Sequence, residues 1–136
     1  MLAFAVLALL PDLDVIAFAL RVPYSAPWGH RGAAHSVLLA AAAGGLAGIL
    51  ARSWRTAAIA IPTVVSHGLL DTLTDGGLGI ALFWPFSDAR WFAPFRPIPV
   101  APIGAGMLSS RGLHVIAAES LLFAPFLIAA LWPKRR

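Results

Sequence analysis

Residues 56–73, TAAIAIPTVVSHGLLDTL, read as one apolar helix that ends in a polar stripe. His67 and Asp71 are four positions apart, so on a helix they share a face, and Thr63 and Thr74 extend the same stripe. An imidazole and a carboxylate are expensive inside an apolar helix and, when present, mark a site by default. A metal could be gripped by both, or Asp71 could orient the His67 ring. The plainer alternative is a polar pair that joins helices by hydrogen bonds. Pro62 predicts a kink within this segment.

Around this helix the chain has the composition of a bilayer protein. It is 136 residues long, 60% hydrophobic and only 12% charged, with a mean hydropathy of +0.83. A soluble domain carries about a quarter charged residues. The net charge is +4, but the basic residues are scattered and the aromatics sit near segment ends, as interfacial ones do. A nucleic-acid partner is therefore not expected, and a lipid bilayer is. With no cysteine there are no disulfides, thiolate ligands or cysteine nucleophiles.

Four apolar segments stand out. The first, residues 1–10, is too short to span and ends at Pro11-Asp12-Leu13-Asp14. It reads as a membrane segment, not a cleaved leader, because no basic residues precede it and no small-residue cleavage site follows. The second runs from Ser36 to about Ala51, the third is the helix quoted above, and the fourth covers about 112–132 with Pro125 inside. Between the last two lies a loop rich in Gly, Pro and aromatics, whose 78–86 stretch reads as a re-entrant or interfacial segment. The expected fold is all-α: one membrane domain, 1–136, forming an integral bundle of about four helices.

If the second, third and fourth segments each cross, Arg52, Arg55 and the Lys134-Arg135-Arg136 tail share one side. Their density in short stretches makes that side, and the C-terminus, cytoplasmic. Asp12, Asp14, His30, His35, Asp71 and His114 then lie near the opposite surface, with His67 about 6 Å deeper than Asp71. Asp, His, His, His and Asp suit zinc or a similar divalent ion.

In His30-Arg31-Gly32-Ala33-Ala34-His35-Ser36 the glycine permits a tight turn and Ser36 can cap the following helix. Arg31 adds a fixed charge suited to phosphate or carboxylate. The plainer alternative is interfacial anchoring at headgroups. Glu119 lies about two turns into an apolar segment and is a functional candidate by cost alone. Asp75, before Gly76-Gly77, reads as part of a turn.

The ordered set Pro-Asp-Leu-Asp, His-Arg-Gly-x-x-His-Ser, Ser-His-x-x-x-Asp-x-x-Thr and Trp-Pro-Phe resembles the YdjM-like family of bacterial inner-membrane proteins, predicted metal-dependent hydrolases. That family is distantly similar to zinc-dependent phospholipase C and P1-type nucleases. The resemblance implies Asp12 or Asp14, His30, His35, His67 and Asp71 as ligands of zinc or manganese. Family members usually begin with a further helix bearing an early Thr-His; here the chain starts ten residues before Pro11. The resemblance therefore implies a shortened N-terminus and a weakened site. The expected reaction is metal-assisted hydrolysis of a phosphoester or lipid headgroup, with Arg31 stabilising charge and Asp14 or Glu119 as general base. The alternative is a non-enzymatic metal-binding membrane protein, either a transporter or a packing scaffold.

Overall fold

The computed structural model describes residues 2–132 and is all-helical, with five α-helices and no strand among the described residues. The chain opens with α1 (Leu2–Ala8), continues through a 3-10 segment (Leu10–Val15) and ends its first pass in the short α2 (Ile16–Ala19). The first apolar segment therefore does not end at Pro-Asp-Leu-Asp. Pro11 stands in the first turn of the 3-10 segment, where its missing N–H costs little. The apolar run of residues 15–20 carries the helix on past the acids. The result is a broken helix, bent by 48° between Leu2–Ala8 and Leu10–Ala19, with both aspartates in the 3-10 segment that follows the break.

Next come α3 (Val37–Leu50) and α4 (Trp54–Asp71), packed as an antiparallel hairpin. Ser36 caps α3 by accepting from Leu39 N–H, and Ser53 caps α4 by accepting from Thr56 N–H. Gly44 and Gly48 let the helices touch backbone to backbone. A Cβ on Gly44 would lie 2.5 Å from Ile61 Cα, and one on Gly48 would strike Ala57. α4 continues through Pro62 without a break.

Residues 72–103 form a loop stitched by isolated bridges, Thr74 to Ile98 and Ile80 to Trp91. The 78–86 stretch is not helical. Ile80 and Ala81 are buried, Ala81 N–H donates to Arg31 O, and Val37 N–H donates to Leu82 O. It thus braces the histidine-bearing loop from behind. A 3-10 turn (Gly104–Leu108) leads into α5 (Ser110–Leu131), capped by Ser109.

Among the described residues, Ser110–Ala129 is the one helix long and apolar enough to cross a membrane. The bent pair Leu2–Ala8 and Leu10–Ala19 qualifies only if taken together. The expectation of three crossing segments meets a limit of length at α3, whose 14 residues reach only about 21 Å against a core of about 30 Å. Large apolar side chains on α5 such as Leu113, Leu121, Phe126 and Leu127 are exposed, the pattern of a helix whose solvent is lipid.

Candidate metal centre

Three elements converge at one end of the α3–α4 hairpin: the break in the N-terminal helix, the His30–Ser36 loop and the last turn of α4. They bring together Asp12, His35, His67 and Asp71, whose donor atoms all lie within 4.8 Å of one another. His35 Nε2 is 3.5 Å from Asp12 Oδ1 and 3.3 Å from Asp71 Oδ2. His67 Nε2 is 3.3 Å from Asp12 Oδ1 and 3.8 Å from Asp71 Oδ2. Ligands about 2.0–2.2 Å from a tetrahedral zinc stand about 3.3–3.6 Å from each other. Three of the four separations fall within that range, and the fourth, His67 to Asp71 at 3.8 Å, is slightly longer.

The nitrogens themselves argue the same way. His35 Nε2, His35 Nδ1 and His67 Nε2 are buried and make no aligned hydrogen bond, although buried polar atoms normally have a partner. Burial alone would keep the His35 ring neutral. The carboxylates of Asp12, Asp14 and Asp71 around it instead push its pKa up to about 10. The cluster calls for positive charge at its centre, and either a proton or a cation can supply it.

Asp14 and His30 stand behind this quartet. His30 Nδ1 donates to Asp14 Oδ1 at 2.6 Å, and the Arg31 backbone N–H donates to Asp14 Oδ2 at 3.0 Å. Asp14 Oδ2 is also 3.0 Å from His35 Nδ1. Asp14, His30 and His35 could form a three-donor group, but 2.6 Å is a hydrogen-bond length, far below the edge of a zinc tetrahedron. This geometry suits Asp14 as the carboxylate that orients two imidazoles. It leaves Asp14 little freedom to act as a spare base, and His30 no direct place in the quartet.

Arg31 is also engaged. It sits in the left-handed region (φ 62°) and is buried. Its Nη1 donates to Thr74 Oγ1 at 2.7 Å and to Gly76 O at 3.0 Å, while Nη2 reaches Asp71 Oδ1 at 3.5 Å. The guanidinium therefore holds Asp71 in place and has little left for a substrate anion. Gly32 is needed after it, because a Cβ there would strike the Pro27 carbonyl. Glu119, half-buried on α5, lies outside the quartet. His114 is exposed and stays apart from the other three histidines. Asp75 accepts from Val100 N–H and lies 3.7 Å from Arg111, a loop-fixing role as its turn setting implied.

One residue escaped the reading of the sequence. The Arg90 guanidinium donates to the carbonyls of His30, Gly79, Tyr24 and Ala26 at 3.0–3.4 Å and lies over the Tyr24 ring. It ties the whole 24–31 loop to the 79–91 segment. Arg90→Ala is expected to loosen this loop and so lower the affinity of the quartet for added zinc by about tenfold, with Arg90→Lys intermediate. Competition titration against a chelating dye measures both. Unchanged affinity in Arg90→Ala would show that the loop holds its shape without the clamp.

The ordered motifs now have a common location, and the comparison with known proteins agrees with the membrane setting. The model of the YdjM inner membrane protein family matches residues 1–135. The chain belongs to that family. It is also similar to the inner membrane protein YbcI of Escherichia coli (strain K12), with 35% identity over 141 residues, covering 96% of this chain and 82% of that protein. No solved structure matches it significantly. The chain is accordingly a bacterial inner-membrane protein.

Proposed function

We propose that this chain is a multi-pass inner-membrane hydrolase that uses a divalent metal, zinc first and manganese second, to cleave a phosphoester or lipid-headgroup substrate at the membrane surface. The observation that carries this reading is the pair of buried, unpartnered nitrogens His35 Nε2 and His67 Nε2, facing Asp12 and Asp71 at the spacing of tetrahedral ligands. Asp12, His35, His67 and Asp71 would hold the ion, which when bound supplies Lewis acidity to a nearby oxygen.

The protein's own groups divide the remaining work. Asp14 fixes the ring of His30 and sets a carboxylate beside His35, and Arg31 fixes Asp71. Glu119, which makes no ion pair among the described residues, is the carboxylate left to accept a proton from an attacking water. A transporter would need polar groups along its helices to form a path. α3 offers none between Val37 and Leu50, which favours hydrolysis at one end of the bundle.

Two experiments test this reading. Protein loaded with zinc or manganese should hydrolyse a chromogenic phosphodiester, lose the activity to a chelator and regain it on metal return. No turnover of any phosphoester by the loaded protein would overturn the assignment. For topology, reporters fused after Arg136 and within residues 89–99 should report opposite compartments, the C-terminal one cytoplasmic, because Arg52, Arg55 and the basic tail lie in short segments. Both reporters on one side would remove the proposed crossing.

A further inference from the structure

A second feature lies among the elements that carry the quartet. A cavity of about 170 Å³ runs between the broken N-terminal helix and the α3–α4 hairpin, lined by Pro11, Ala34, Leu39, Ala40, Ala43 and Val64 among others. No lining residue is polar. Three of them are tied in sequence to the quartet: Pro11 precedes Asp12, Ala34 precedes His35, and Val64 stands one helical turn before His67. All three elements that deliver donors also build this groove.

Its direction is fixed by the helices. α3 runs away from the quartet, so Ala40 and Ala43 lie progressively deeper, while α4 returns toward it past Val64. The groove thus lies beside the donor-bearing elements and follows the hairpin, walled by the sequence neighbours of the donors. Small side chains on α3 form its floor, and the 48° break in the N-terminal helix leaves its flank open. A water-soluble phosphoester has no use for such a channel. A lipid held by its headgroup at Asp12, His35, His67 and Asp71 would send a hydrocarbon chain down it.

We propose that this groove seats one acyl chain of a membrane phospholipid, making the substrate a lipid and not a soluble phosphoester. The inference rests on the hydrolase reading for the headgroup end, but the chain seat is tested without turnover. The probe is a phosphatidylglycerol carrying a photoreactive diazirine near the carboxyl end of one acyl chain, added to the full-length protein in phospholipid nanodiscs. Cross-links mapped by peptide mass spectrometry should concentrate on Leu39, Ala43 and Val64. Ala43→Trp fills the groove and should lower that yield by about tenfold. The milder Ala43→Leu should lower it less. Ala42→Trp, on the exposed side of the same helix, should leave it unchanged.

Metal content is measured in parallel as the sign of an intact quartet. Cross-links that persist in Ala43→Trp with metal retained, or that spread evenly over the exposed face of α5, would overturn the chain seat. If Ala43→Trp loses its metal, Ala43→Leu decides: an undiminished yield there also overturns the proposal. A wild-type protein that binds no metal yet cross-links in the groove would sink the hydrolase reading and leave the lipid seat standing.

Discussion

His67→Ala should cost the protein its metal. Removal of an outer partner already lowers affinity by about 10–100-fold, so loss of one of four direct donors should exceed about a hundredfold. Asp71→Ala should match it. His30→Ala is the informative contrast: its ring is hydrogen-bonded to Asp14 and stands outside the quartet, so its loss should fall within the smaller range. Elemental analysis of detergent-purified protein measures all three. Equal metal in wild type, His67→Ala and Asp71→Ala would remove the assignment, and equal loss in His30→Ala would restore that ring as a ligand.

The same experiment has a pH arm. In the metal-free site the carboxylates hold His35 protonated up to about pH 10. A metal needs the neutral imidazole, so each ion bound must displace that proton. Affinity should therefore rise by about tenfold per pH unit through the neutral range and flatten only as pH approaches 10. A flat profile between pH 6 and 8 would mean that His35 gives up no proton on binding.

Much of this site was legible because it is local. The four-residue step from His67 to Asp71 fixed a shared helix face, and Ser36 fixed the start of α3. The division of labour between Asp12 and Asp14 was not legible. Two residues apart in a 3-10 segment with three residues per turn, they project about 120° apart. One therefore meets His67 and the other His30. The sequence offers Asp14 as a spare base, and nothing in the pattern shows that it faces His30 and His35 instead. Arg90 was hidden for a different reason: its partners are backbone carbonyls, with three of the four about 60 positions away, and no residue type signals a carbonyl. Pro-Asp-Leu-Asp reads as an end in the sequence because a proline and two acids outweigh the apolar run that follows and carries the helix on.

Gly68→Ala should be the most damaging substitution that touches no donor. Gly68 follows His67 on α4, and a Cβ there would lie 2.5 Å from the His35 carbonyl oxygen. Both sides of that contact are backbone, so no side chain can swing away; the loop and the helix must part. The His35 and His67 rings, 5.0 Å apart at their centroids, ride on those two backbones and would part with them. The expected result is a loss of about 1–3 kcal/mol of stability together with loss of the metal. Two control glycines separate these effects. Gly44→Ala meets Ile61 at the same 2.5 Å but farther down the hairpin, so it should lower thermal stability while metal is retained. Gly45 faces open space, and alanine there should be neutral or stabilising by up to about 1 kcal/mol through helix propensity. Thermal unfolding in detergent paired with metal content distinguishes the three. Should Gly68→Ala keep its metal, the quartet would not depend on the close approach of α4 to the His35 loop, and His67 would have to reach its place by some other means.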